Sequence, residues 1–326
     1  MARIGTGSRS STVGARRRAL VVLVVLGLGL ALAPVIFQMF DRGPKGAQML
    51  QEFRPFMTDA RLSGFQRHIR NIDAAVHQAN GRVVVRLEGH GAAAHKRFDR
   101  RFPGFAQFRE DWPPINDDMG GLMSLIKSNA GNYRAVAALP SFKVFPWFFV
   151  VPGVLLALLA IAGLLAPKSW PKLRWAAAVV GIGLIAVPIG TQMFQRAPKG
   201  GRMMTAFKTI ETRKKVETIQ GYFATIAVGQ GALRLDVVPA LKRTGLSERD
   251  IATRYSDVDT LDKRWIPILN DMTPMIGAMS DNVDNYEAIK SLPPFALFPW
   301  FFVVPGLLII ALALLPGRRS RQGGTA

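Results

Sequence analysis

The sequence predicts a mainly α-helical, polytopic membrane protein with four transmembrane helices arranged as two tandem repeats. Three observations support this prediction: four long stretches without charge, an uneven distribution of basic and acidic residues, and a similarity between the two halves of the chain. Each repeat is expected to enclose a mostly helical extracytoplasmic domain that includes one short strand.

Four stretches of the 326-residue chain contain no Asp, Glu, Lys, Arg or His. Each is long enough to cross about 30 Å of hydrocarbon at about 1.5 Å of helix rise per residue. A helix in a soluble core rarely continues so far without a charge, so a membrane span is the favoured interpretation. The predicted spans are 19–40, 144–166, 175–195 and, within the charge-free stretch 291–317, 298–316.

The charge distribution predicts the orientation of these spans. All 22 acidic residues lie in the two long segments, 41–143 and 196–297, which are the predicted extracytoplasmic domains. The short segments 1–18, 167–174 and 317–326 are basic and contain no acid. Because positively charged loops remain in the cytoplasm, these three segments are predicted to be cytoplasmic, with the protein in the inner or plasma membrane. The expected determinants are Arg16, Arg17, Arg18, Lys168, Lys172, Arg174, Arg318 and Arg319.

The net charge of +20 does not indicate a nucleic-acid-binding protein. About half of this excess lies in the three short basic segments at the ends of the spans, where it is explained by attraction to an anionic leaflet. No nucleic-acid partner is therefore expected.

The two halves of the chain share two motifs. The pattern Q-M-F-x-R-x-P-K-G-x-x-M-x-x-x-F begins at Gln38 and again at Gln192, and the segment FPWFFVVPG occurs at Phe145 and again at Phe298. Agreement of this length is not expected by chance, so it predicts two copies of one fold. Since each copy has two spans, both copies enter the membrane in the same direction.

Each long segment is predicted to contain helices and one strand. The runs Arg82–Leu87 and Ala232–Val238 are β-branched and alternating, which favours a short strand in each. Apolar residues at spacings of three and four run from Phe98 to Ile126 and predict a helix with one buried face. The second half has the same pattern.

Prolines interrupt this apolar stripe in both halves, at Pro113, Pro114, Pro267 and Pro274. They predict two consecutive helices with a kink instead of one straight helix. The stripe could hold a lipid tail or an apolar ligand, although the core of a helical bundle is the more common use of such a pattern.

The matched exits of the first and third spans are candidate lipid-headgroup or ligand contacts. Each places an amide at the edge of the hydrocarbon and two cations just beyond it, a set suited to a phosphate. The alternative is that Pro-Lys-Gly ends the helix and the cations extend to the headgroups. The candidate residues are Gln38, Arg42, Lys45, Gln192, Arg196 and Lys199.

Aromatic residues mark the points where the second and fourth spans re-enter the membrane. Amphipathic rings favour this depth, so these residues are predicted to anchor the helices at the interface. They are Trp147, Phe148, Trp300 and Phe301.

The sequence contains no motif that predicts catalysis or a cofactor. All four histidines, His68, His77, His90 and His95, lie in the first long segment, at spacings that match no familiar metal site. They are interpreted as solvated side chains. Neither a metal nor a cofactor is expected, and the protein is predicted not to be an enzyme.

The sequence therefore favours a non-enzymatic cell-envelope protein whose duplicated extracytoplasmic domains bind a partner. Membrane lipids, another envelope protein or a second copy are the expected partners, for example within a transport or envelope-assembly complex. Two alternatives stay open: a channel or lipid-transfer protein with a path through the helix bundle, and an extracytoplasmic sensor that signals through a partner.

Overall fold

The computed structural model describes residues 7–314, with side chains from residue 14 onward. The described part of the first half contains α1 (Gly7–Ile36), α2 (Met39–Phe53), α3 (Asp59–Gln78), α4 (Val84–Glu88), α5 (Ala92–Arg101), α6 (Pro103–Ala137) and α7 (Trp147–Leu165). The second half has the same order, with α8 (Trp170–Gly190), α9 (Met193–Phe207), α10 (Arg213–Ala232), α11 (Val238–Arg243), α12 (Glu248–Arg254), α13 (Ser256–Lys290) and α14 (Phe298–Leu314).

Four helices are long and apolar enough to cross a membrane. Between 28% and 33% of the most apolar window of each is buried inside the protein. Most of their apolar surface therefore faces outward, and contact of this surface with lipid is more favourable than contact with water. The four segments are Gly14–Ile36, Trp147–Leu165, Trp170–Gly190 and Phe295–Leu314. Two of the predicted topology determinants, Arg318 and Arg319, lie outside the described residues.

The chain divides into two compact units, each of which contains parts of both halves. The span unit consists of Met1–Gln48, Asn132–Met203 and Glu287–Ala326. The polar unit consists of Met49–Gly131 and Met204–Tyr286. The greater part of the two long segments thus belongs to one unit.

Glycines allow close helix packing within the span unit. A Cβ added at Gly27 of α1 would lie 2.7 Å from backbone atoms of Gly153 and Ala157 on α7. A Cβ added at Gly181 of α8 would lie 2.7 Å from the carbonyl oxygen of Gly306 on α14. Such short approaches leave no room for a side chain, and they are typical of small residues between membrane helices. The glycines after Pro152 and Pro305 therefore serve helix packing.

Phenylalanines of the two halves meet each other at one end of the spans. The rings of Phe145 and Phe298 have centroids 6.0 Å apart and lie edge to face. Those of Phe149 and Phe302 are 4.4 Å apart. All four rings are buried, so half of the aromatic motif forms the core between α7 and α14.

The predicted strands are wrong, since both segments are helical. Residues Ala79–Val83 and Leu233–Val237 each form a π-helical turn that continues into α4 and α11. A strand would bury every second residue. Burial instead falls on Leu233, Val237, Val238 and Leu241, a spacing that only a helix produces.

The break in the long apolar stripe lies before the prolines and not at them. Phe102, with φ −127° and ψ 61°, ends α5. Pro103 follows at the first position of α6, because proline disfavours helical geometry in the residue before it. The helix α6 then continues through Pro113 and Pro114. The carbonyls left without a partner belong to residues 109 and 110, neither of which is buried, so water can bond them.

Substitution of Gly181 by leucine should destabilise the span unit, whereas the same change at Gly183 should not. A side chain at Gly181 meets α14, and overpacking of this kind costs about 1–3 kcal/mol. A Cβ at Gly183, two residues along the same helix, has nothing within 4 Å. Thermal unfolding of the two purified variants in one detergent would measure the difference. Equal melting temperatures for both would show that the glycine contact is not required.

Candidate functional site

A left-handed residue separates each first span from the helix that follows it. Gln38 has φ 53° and Gln192 has φ 55°, and they are the only non-glycine residues with positive φ in the described chain. A left-handed residue ends an α-helix, since the next N–H turns away from the helix axis. The backbone N–H of Gln38 donates to the Val35 carbonyl at 3.0 Å, and that of Gln192 donates to Ile189 at 3.1 Å.

The helix break therefore lies at glutamine and not at Pro-Lys-Gly, where the alternative interpretation of this motif placed it. Pro44 lies inside α2 and Pro198 lies inside α9. Each glutamine carbonyl accepts the first backbone bond of the new helix, for example from Arg42 at 2.9 Å. Such a backbone costs about 1–3 kcal/mol, so the surrounding contacts must stabilise it.

One arginine in each half binds a carbonyl beside this break and a second carbonyl in the other half. Arg42 Nη1 donates to the carbonyl of Phe37 at 3.3 Å and to that of Ser291 at 3.4 Å. Arg196 Nη1 donates to the carbonyls of Thr191 at 3.2 Å and Ala138 at 2.8 Å. Each arginine thus joins the end of its own span to the backbone of the other half. Cations at helix C-termini also interact favourably with the helix dipole.

The two predicted lysines behave differently from the arginines. Lys45 forms an exposed ion pair with Asp41 at 3.0 Å, a contact of i,i+4 type worth little in water. Lys199 is half-buried, and Gln195 stands where the first half has Asp41. The contact of any of the six candidate residues with lipid stays a prediction.

A long apolar groove lies between α1 and α14 in the span unit. Its volume is about 580 Å³. The corresponding pair, α7 and α8, packs more closely, whereas α1 and α14 touch at few points. Its walls include Val25, Gly29 and Ala33 from α1, Phe37 just after α1, and Trp300 and Val304 from α14.

The groove ends beside Arg42. A smaller cavity lined by the Arg42 side chain shares Met39, Leu292 and Phe298 with the groove. The Phe37 carbonyl that Arg42 binds belongs to a residue of the groove wall. An apolar channel with a cation at one end is suited to an amphiphile with an anionic head.

The predicted interface anchors are partly exposed. Trp147 and Trp300 expose 53% and 52% of their surface. Each indole packs edge to face with an aromatic residue just after the left-handed glutamine, Phe40 at 5.6 Å and Phe194 at 5.5 Å respectively. The rings are thus held at the ends of the spans. Their role as anchors, with Phe148 and Phe301, stays a prediction.

In the polar unit, Asp118 of the first half binds two residues of the second half. Its carboxylate accepts hydrogen bonds from Lys215 Nζ at 2.5 Å and from the Tyr222 hydroxyl at 2.8 Å. Partial burial alone would raise the pKa of Asp118, but the bonds from Lys215 and Tyr222 and the lysine charge outweigh it and lower the pKa.

Asp271 of the second half makes the same kind of contact with the first half. It accepts from Arg61 Nη1 at 2.9 Å and lies 3.0 Å from His68 Nε2. The bond to His68 is the largest effect and lowers the pKa of Asp271. Burial opposes it, and the bond and charge of Arg61 lower the pKa further. The interpretation of all histidines as solvated is wrong for His68, since 14% of its side chain is exposed.

Reciprocal contacts of this kind were missed by sequence reasoning. Asp118 and Asp271 align between the two halves, but carboxylates are too common in surface segments for their role to be read from the sequence. In the aligned positions, Lys215 corresponds to Arg61 and Tyr222 corresponds to His68. The evidence available in the sequence for these contacts was that a pair of possible hydrogen-bond donors recurs at aligned positions of the two halves.

Glu211 is a buried carboxyl inside an apolar cavity of the polar unit. It is 2% exposed, and Oε2 has no hydrogen-bond partner among the described residues. Its position explains the burial: it precedes Thr212, the N-cap of α10, where a hydrophobic residue usually packs inward. Met57 occupies the aligned place before Thr58, the N-cap of α3. Both side chains line the same cavity, of about 20 Å³.

Burial away from water raises the pKa of the Glu211 carboxyl to about 8. In the unfolded chain the pKa is near 4.5, so at intermediate pH folding takes up one proton. The contribution of Glu211 to the free energy of unfolding is fully present below about pH 4.5. It decreases by about 1.4 kcal/mol per pH unit above that pH and is lost once the pH passes the folded-state pKa.

Replacement of Glu211 by methionine should flatten the pH dependence of stability between about pH 5 and 8. The Glu211→Met variant should also melt at a higher temperature than the parent protein at the upper end of this range, because no charge is buried. Thermal unfolding across the range would measure both effects. Glu217→Met is the matched control, since Glu217 is exposed on α10. Parallel pH profiles for the parent and Glu211→Met would contradict the prediction.

The described residues contain no group of three His, Asp or Glu side chains placed to hold a metal ion. Comparison with protein-family models, curated proteins and solved structures finds no match to this chain. The fold and composition define a mainly helical membrane protein with four helices able to span a bilayer. Its particular function has to be argued from its own residues.

Proposed function

We propose that this is a tandemly duplicated, non-enzymatic protein of the cell envelope whose polar unit lies outside the cytoplasm and binds a partner protein. In this proposal both termini are cytoplasmic, and each half contributes two spans and one long extracytoplasmic segment. The two long segments act together as one binding body within a transport or envelope-assembly complex.

The reciprocal contacts of Asp118 and Asp271 are the observation that carries this proposal. Each carboxylate belongs to one long segment and accepts bonds from the other. Two segments held together in this way would present a single surface outside the membrane. A rigid surface loses less conformational entropy when a partner binds.

An exposed apolar patch on the second half supports a protein partner. Val228 and Leu235 expose 64% and 73% of their surface, more than any other large apolar residue of the polar unit in the described chain. They are seven residues apart on continuous helical backbone and therefore lie on one face. Arg234 and Asp236 flank Leu235, as polar residues often flank an apolar interface centre.

The orientation can be measured by cysteine labelling, because the chain contains no cysteine. We expect Ser128→Cys, on the exposed surface of α6, to react in intact cells with a membrane-impermeant maleimide. Ser169→Cys, in the short basic loop before α8, should react only after the cells are permeabilised. The reverse pattern would exclude the proposed topology.

Photo-cross-linking can identify the partner. A photoreactive amino acid at position 235 should form a discrete cross-linked product with another envelope protein in living cells. The same amino acid at position 128, exposed in the polar unit but outside the patch, is the control. If both positions recovered only bulk lipid or self-contacts, the proposal of a protein partner would be wrong.

A lipid-transfer protein is the second candidate, because the α1–α14 groove is suited to holding a lipid. Transfer requires a continuous apolar path that leaves the membrane. The groove is lined by residues of the span unit alone, so it supports binding of a lipid more directly than its transfer.

A further inference from the structure

We propose that the groove between α1 and α14 binds one acyl chain of an anionic phospholipid, with the lipid phosphate at Arg42. This inference does not rest on the proposed function, because it concerns the span unit and holds whatever the polar unit binds. Of the six candidate headgroup contacts predicted from the sequence, it assigns the phosphate to Arg42, and it places the acyl chain in this groove.

The dimensions of the groove fit an acyl chain. Its volume of about 580 Å³ lies within the range of roughly 300–1,000 Å³ typical of small-ligand sites. From Val25 on α1 to Phe37, the residue after the end of α1, its wall extends for about 18 Å at 1.5 Å per residue. That length slightly exceeds half of the roughly 30 Å hydrocarbon core, which is the depth of one leaflet.

The chemistry at the end of the groove selects the head. Arg42 uses Nη1 for the two carbonyl bonds, and within the described chain its Nε and Nη2 form no hydrogen bond. Two parallel N–H groups of a guanidinium suit a phosphate. Asp41 is the nearby opposing charge, and it is paired with Lys45 at 3.0 Å. The local charge of these three residues is therefore positive.

The second half provides an internal comparison. Arg196 makes the equivalent two carbonyl bonds, but the span that precedes it, α8, packs more closely against α7 than α1 packs against α14. At the aligned groove positions, Ala33 is replaced by the bulkier Val187. Lipid selectivity should therefore depend on Arg42 and not on Arg196.

The test uses the full-length protein reconstituted in nanodiscs of phosphatidylglycerol and phosphatidylcholine with identical chains, followed by native mass spectrometry. The parent protein should retain one phospholipid molecule. The ratio of retained phosphatidylglycerol to retained phosphatidylcholine should be about five, as expected for one cation near a phosphate. Arg42→Gln should bring this ratio to about one. Arg196→Gln, which loses the equivalent carbonyl bonds, should keep it.

A second pair of variants tests the groove itself and stays informative if Arg42→Gln does not fold. A Cβ at Gly29 or at Gly183 meets nothing within 4 Å, so both positions accept a side chain. Gly29→Phe fills the groove and should lower the retained lipid about fivefold or more, whereas Gly183→Phe should leave it unchanged.

Three outcomes would overturn the inference. They are equal effects of Arg42→Gln and Arg196→Gln on lipid selectivity, undiminished lipid in Gly29→Phe, and loss of a dimer mass in Gly29→Phe. The last result would show that a second copy of the chain occupies the groove.

Discussion

The architecture of the span unit depends on satisfying backbone carbonyls where a helix breaks near hydrocarbon. An unsatisfied polar group in lipid costs several kcal/mol, so a break in a span is stable only with a partner for each freed carbonyl. Gln38 and Gln192 create such breaks, and Arg42 and Arg196 each donate to one carbonyl beside the break. Each guanidinium also donates to a backbone carbonyl of the other half, so the arginine that stabilises the break also joins the two halves.

In the polar unit, side-chain carboxylates take the place of backbone carbonyls as the acceptors of hydrogen bonds from the other half. Asp118 and Asp271 each receive bonds from two side chains of the opposite half. This exchange of contacts makes each half incomplete alone, since Asp118 and Asp271 would both lose these donors. Cross-bonding in both units explains why neither unit consists of one half only.

The sequence predicted the spans and the helical character because these depend on composition and period. Charge-free stretches and apolar spacing are properties of continuous segments, and lipid or a core must cover them wherever they pack. The strands at Arg82–Leu87 and Ala232–Val238 were wrong, because a short β-branched run fits a strand or a helix until its burial is known. Similarly, Pro44 and Pro113 do not end helices where the freed carbonyl can still be bonded.

Departures from the similarity of the two halves are more informative than the similarity itself. Aligned residues that agree, such as Arg42 and Arg196, can be explained by shared folding requirements. Met57 and Glu211 do not agree, although both line one cavity, and burial of the Glu211 carboxyl lowers stability above the usual pKa of this group. A second departure is that α7 packs closely against α8, whereas a groove lies between α1 and α14. Folding alone requires neither difference, so function is best sought where the halves diverge.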